Sequence, residues 1–139
     1  MSAIIKNFIT EISAFVILLL IFSFKTSDKT IVVSKDGKGD FKTIQDAINS
    51  VENNSERKTK IIIKPGTYRE KVTVPDTKGP ITLIGENAEN TILVYGDHAS
   101  KQNSEGKNIG TTGSSTLFIF SNDFSAKNIT FQNDAGPVG

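Results

Sequence analysis

Of the residues whose type could support catalysis, Glu70 comes first. It sits in KPGTYREKV, four positions after Gly66, two after Tyr68, and between Arg69 and Lys71. A general acid needs a pKa raised by burial or by a like-charged neighbour. The local sequence provides neither, and the two flanking cations are expected to satisfy its charge. Pro65-Gly66 supplies a turn, and Tyr68 is expected to lay its ring on an edge with the hydroxyl in water. The stretch predicts structure rather than acid catalysis.

The other candidates divide the same way. His98 is the single histidine, so a histidine metal cluster is excluded. A Ser-His-Asp relay could draw on Ser100 or Ser115, but no G-x-S-x-G elbow is present. Gly37-Lys38-Gly39 lacks the Ser or Thr after lysine that a phosphate loop needs, and Lys42 stands where a dinucleotide loop wants glycine. Gly106-Lys107 fails because Asn108 follows. These are turns. With no cysteine, thiol catalysis and thiolate metal sites are excluded, and no metal or cofactor is expected.

Two further patterns bear on binding and modification. GTTGSST, residues 110–116, is hydroxyl-rich; it can offer hydrogen bonds to a sugar or serve as a polar loop entering the LFIF strand. Asn53-Asn54-Ser55 and Asn128-Ile129-Thr130 are formal glycosylation sequons. Asn53 lies in a solvated loop and is the expected acceptor. Asn128 is assigned to a strand and is expected to be silent.

The elements that must hold these residues begin with Ile31–Val33, a short strand, and a turn over Asp36–Asp40. Phe41, Ile44, Ala47, Ile48 and Val51 then recur at helical spacing. Thr43 is a fitting N-cap, with Asp46 three positions on, and the helix is expected to stop in NNSERK. From Lys60 onward short β-forming runs follow at 61–63, 72–74, 81–84, 91–94, 117–120 and 129–131, separated by Gly, Pro, Asn and Asp. In the last of these Ile129 and Phe131 are expected on one side and Thr130 on the other. No second helical pattern is evident, so a doubly wound α/β fold is a poor fit. A sandwich would favour Asn-Gly or Asp-Gly hairpins, whereas short continuous strands suit a parallel β-helix whose first coil is capped by the one helix.

The chain has 139 residues, 37% hydrophobic and 22% charged, with net charge +1. That is one domain or part of one, neither disordered nor basic enough to call for nucleic acid. Ile12–Phe24 runs without a charge between Lys6 and Lys25. It has the length of a signal-peptide core and is short for a membrane span. Residues 1–25 are therefore expected to be a signal peptide, with a signal anchor or a buried helix as alternatives. Any membrane association is expected through this segment alone.

VVSKDGKGDFKTIQDAINSV, KTKIIIKPGTYREKVTVP, ITLIGENAENTILVYG and AKNITFQNDAG, in this order, resemble the N-terminal part of plant-type pectinesterases. The element Gly66, Tyr68, Glu70 is characteristic, and its combination with the flanking motifs is more specific still. The resemblance implies an all-β fold: a right-handed parallel β-helix with an N-terminal capping helix. It also implies secretion to the cell wall and hydrolysis of methyl esters on homogalacturonan (pectin), with a proteinaceous pectinesterase inhibitor as a further partner. Glu70 is then a structural residue of the early coils.

In that family one aspartate attacks the ester carbonyl, a second serves as acid and then base, a glutamine stabilises the oxyanion and an arginine orients the groups. The segments that carry them have no counterpart here, and Asp76, Asp97, Asp123 and Asp134 match none of the catalytic aspartates. No catalytic residue is assigned. The one functional position carried over is a substrate-contacting threonine, Thr112, with Thr111 and Thr116 as alternatives because the loop departs from the family pattern. Residues 30–139 are expected to be truncated N-terminal coils, inactive alone. The rival readings are a non-catalytic pectin-binding or structural β-helix protein, and lyase or polygalacturonase chemistry on a similar scaffold.

Overall fold

The computed structural model describes residues 27–136. The expectations for residues 1–25 lie outside the described residues. Nine strands run through the described chain: β1 (Lys29–Val33), β2 (Thr59–Ile63), β3 (Gly66–Arg69), β4 (Val72–Val74), β5 (Ile81–Gly85), β6 (Thr91–Tyr95), β7 (Leu117–Ile119), β8 (Phe124–Lys127) and β9 (Thr130–Asn133). Two helices interrupt them, α1 (Ile44–Asn49) and the single turn α2 (Gly110–Gly113).

Every pairing between these strands is parallel, and from β2 onward consecutive strands fall in different sheets: the orders are β1-β2-β5-β8, β3-β6-β9 and β4-β7. The chain therefore winds through three sheets in turn and returns to the first one rung higher. This coiling makes side chains stack in register. Ile31, Ile61 and Leu83 form one inward ladder, Val33 and Ile63 a second, Tyr68 and Leu93 a third. All are buried. At roughly 1.5–3 kcal/mol for each fully buried aliphatic side chain, these ladders are the main source of stability. Proximity in sequence contributes little.

Helix α1 forms within the stretch its sequence predicts, capped by Thr43 as expected but ending at Asn49, ahead of NNSERK. The Thr43 side chain accepts the Asp46 N–H, satisfying one of the orphan donors of the first turn. Ile44, Ala47 and Ile48 are buried against the first rungs, with Val51 following, and Phe41 is partly buried beside them.

Four local expectations need correction. Tyr68 is only 2% exposed, and its hydroxyl donates to the Lys64 carbonyl at 2.7 Å instead of facing water. The stretch taken for a turn holds strand β3, because coil stacking aligns it with β6. GTTGSST carries helix α2, whose four residues bury nothing and leave no periodic signal. Finally, β9 starts at Thr130, so Ile129 belongs to the preceding corner and packs on the core while Phe131 is exposed.

Candidate functional site

The turns of the coil are unequal. The passage from β3 to β4 is short, whereas the next coil makes a long excursion, residues 96–116, between β6 and β7. That excursion carries the hydroxyl-rich segment, and a small set of polar contacts fixes it. Asp97, at its start, is buried, and its carboxylate is gripped by two lysines: Lys71 at 2.6 Å, and Lys101 on the other oxygen. Lys71 also donates to the Gly113 carbonyl at 2.7 Å, tying the far end of the excursion to β4's leading edge. Its ammonium lies 5.6 Å from the Tyr95 ring centre and 5.7 Å from that of Phe118, within cation–π range.

Asn133, at the end of β9, closes the frame. Its side-chain amide donates to the carbonyls of Asp97 at 2.9 Å and Ser114 at 3.1 Å. Thr116 is buried and donates to the Gln132 carbonyl at 3.0 Å. Between these contacts lies an open depression of 460 Å³ lined by Ser114, Ser115, Thr116, Leu117, Phe131, Gln132 and Asn133. Thr111 and Thr112 stand exposed on α2 above it in sequence, and no side-chain hydrogen bond within the described residues engages Thr112. Hydroxyls and an amide on one open surface suit a sugar's hydroxyls, while Phe131, in register with the inward Leu93, continues the ladder of Tyr68.

The charges of this region are spent on each other. Hydrogen bonds from Lys101 and Lys71 hold the Asp97 carboxyl below its ordinary range. The Arg69 guanidinium, 2.6 Å from Asp134, does the same to that carboxyl. Both groups stay ionised and neither is poised as an acid. The sequence marks Asp97 only as matching no catalytic aspartate and Lys71 only as a neighbour of Glu70; their pairing follows from which rung each reaches.

The other candidates are settled by geometry. His98 Nδ1 lies 3.2 Å from Ser100 Oγ, yet the Asp97 carboxylate faces lysines, and among the described residues no carboxylate is hydrogen-bonded to His98. No Ser-His-Asp relay is assembled. Lys38 is 86% exposed and lies 3.5 Å from Asp36, in a turn stitched by Asp36 accepting from Ser34 and from the Lys38 N–H. Among the described residues no group of three His, Cys, Asp or Glu side chains could hold a metal ion.

Glu70 is not neutralised by Arg69 and Lys71, whose side chains go to Asp134 and Asp97. Its two oxygens instead accept the N–H groups of Ile44 and Gln45, each at 2.9 Å. Gly66 enters β3 with φ of 157°, where a side chain would press on Lys35. Asn53 is exposed and forms an isolated antiparallel bridge with Lys78.

Comparison with known proteins places these features in context. The family model described as Pectinesterase matches residues 30–139. The pectinesterase QRT1 of Arabidopsis thaliana is 41% identical over 117 residues, covering 80% of this chain and 31% of the relative. A protein of Brassica campestris named pectinesterase/pectinesterase inhibitor is 39% identical over 112 residues, covering 79% of this chain and 19% of its own length. Among solved structures, a pectin methylesterase in complex with a hexasaccharide superimposes with a TM-score of 0.70 at 38% identity, over 78% of this chain and 31% of that one. The chain thus spans about a third or less of these relatives.

Proposed function

The chain belongs to the pectinesterase family, and from that premise we propose that its coils serve a carboxylic ester hydrolase that removes methyl esters from homogalacturonan during cell-wall modification. The supporting observation is the pinned excursion between β6 and β7: a fixed, open, hydroxyl-bearing surface on a coiled scaffold of this family. We read the scaffold as the N-terminal coils of a right-handed parallel β-helix with α1 capping its first rung.

In this reading the described residues bind and position. Thr112 donates to or accepts from a sugar hydroxyl or carboxyl, and the Lys71–Asp97–Lys101 cluster holds its loop. Gly66, Tyr68 and Glu70 form the support of the early coils. The chemical step, in which water cleaves the methyl ester to a carboxylate and methanol, needs one ionised carboxylate and one protonated partner. Asp97 and Asp134 are both held ionised by cations, so neither supplies the protonated partner; because the family's catalytic segments have no counterpart here, we read the described residues as inactive alone. The hexasaccharide held by the solved relative supports a pectin chain as ligand. The name of the Brassica relative supports a pectinesterase inhibitor as partner. Secretion to the wall through residues 1–25, with a glycan on Asn53, completes the proposal.

The test is methanol release from methyl-esterified homogalacturonan by the native secreted protein, with its intact mass and C-terminal peptides recorded on the same sample. Methanol without new reducing ends or unsaturated products is the expected result. Retention on pectin with no methanol would replace the enzyme by a binding protein, and calcium-dependent unsaturated products would indicate a lyase.

A further inference from the structure

Asn128 does not lie inside a strand. It occupies the corner between β8, which ends at Lys127, and β9, which begins at Thr130. Its φ is 55°, in the left-handed region that asparagine tolerates better than most residues. The corner is turned so that its carbonyl packs onto Gly85, where an added Cβ would lie 2.1 Å from that oxygen. With the backbone directed inward the residue is exposed, and no hydrogen bond within the described residues engages its side-chain amide.

The two residues that complete the sequon are fixed in complementary ways. Ile129 packs against the core, and the Thr130 hydroxyl donates to the Ala88 carbonyl at 2.7 Å. Asparagine thus serves the corner through its backbone and threonine through its hydroxyl. Neither use consumes the Asn128 amide. Lys127 beside it is exposed as well, whereas Ala126 is in register with the inward Leu83 and belongs to the ladder.

We propose that Asn128 is an N-glycosylation site. The donor class is a lipid diphosphate-linked oligosaccharide met in the secretory route. Asn128 Nδ2 forms a bond to the anomeric carbon, the anomeric carbon–oxygen bond to the diphosphate breaks, the lipid diphosphate departs, and Nδ2 gives up one proton. Transfer precedes folding, and the corner then holds the glycan outward without disturbing the ladders. The proposal rests on entry into the secretory route and is independent of ester hydrolysis.

The full chain is expressed through a plant secretory pathway, and its glycans are released enzymatically in heavy-oxygen water, which marks each formerly glycosylated asparagine as a labelled aspartate. Peptide mass spectrometry is expected to find the label at Asn128, whatever Asn53 carries. Asn128→Gln should remove one glycan's mobility step on a gel. Thr130→Ala, which keeps the corner asparagine, should remove the same step, and Thr130→Ser should retain it. An unlabelled Asn128 peptide in the recovered wild-type protein would overturn the proposal without recourse to any variant.

Discussion

Glu70 accepts the backbone N–H of Gln45 at 2.9 Å through one oxygen while its other oxygen takes the N–H of Ile44. Gln45 answers by laying its own amide along β4, donating to the Thr73 carbonyl at 3.0 Å and accepting the Thr73 N–H at 2.7 Å. The first turn of α1 is thereby docked to β4 and to the corner that joins β3 to it. Donors at a helix start have no intrahelical partners, and a carboxylate is the strongest acceptor available to them.

Replacing Glu70 should therefore cost stability. Hydrogen bonds to a charged group contribute about 1.5–3 kcal/mol, so Glu70→Ala is expected to lower unfolding free energy by roughly that amount. Glu70→Gln, which keeps one acceptor, should lose less. Urea unfolding midpoints measure both. A variant with an unchanged midpoint but abolished ester hydrolysis would instead make Glu70 a catalytic group.

Asp97 sets an acid limit for the excursion. Its folded-state pKa lies below the ordinary 3.8 because Lys101 and Lys71 donate to its carboxylate. A depressed carboxylate stabilises the fold at pH values above the ordinary pKa, and that contribution is lost as pH falls through the folded value. Hydrogen exchange over residues 98–116, taken relative to the intrinsic rate at each pH, is expected to be slow near neutrality and to accelerate below about pH 4. In Asp97→Asn it should be fast at neutral pH as well, because Lys71 and Lys101 then lack their counter-charge. An excursion equally protected in the variant would show that the lysines do not hold it.

Two glycines should respond unequally to the same change. At Gly85 a methyl group would meet the Asn128 carbonyl at 2.1 Å and the Thr91 Cβ at 2.9 Å. The first is backbone and cannot turn away, so Gly85→Ala is expected to destabilise by about 3 kcal/mol, the upper end for overpacking. At Gly96 the methyl would meet Asp134 Oδ1 at 2.7 Å and a terminal nitrogen of Arg69 at 2.9 Å. Both are ends of flexible side chains in an exposed ion pair, of a kind that contributes little. Gly96→Ala should part the pair and leave the melting temperature almost unchanged. Thermal melts of the two variants side by side decide the point.

What was legible in the sequence follows the same division. Runs such as TKIII and ITLIG declare themselves because β-branched residues fill both faces of a buried strand, and α1 declares itself through Phe41, Ile44, Ala47 and Ile48. Strand β3 was hidden because Tyr68 is its single large apolar residue, and β8 because Phe124 is alone ahead of Ser125, Ala126 and Lys127. Pairings between rungs were beyond reach: Arg69 meets Asp134 and Lys71 meets Asp97 only because coil stacking brings their strands together. The candidate rim was visible as a hydroxyl-rich run, but the lysine-held carboxylate that fixes it was not.

Thr112 and Thr116 lie in one segment, and the structure separates their roles. Thr112 is exposed, with no side-chain hydrogen bond among the described residues, whereas Thr116 is 8% exposed and donates to the Gln132 carbonyl. Thr112→Val should leave stability within about 0.5 kcal/mol, as for other surface changes, while weakening retention on methyl-esterified pectin several-fold. Thr116→Val preserves shape but removes a donor to a partly buried carbonyl, at a cost of about 1 kcal/mol, and should alter retention only as far as it loosens the rim. Retardation of each purified variant on a pectin affinity gel, alongside its urea midpoint, separates the two effects. If Thr112→Val is retained like the wild type and Thr116→Val is not, the contact belongs to Thr116 and the rim must be redrawn one turn deeper.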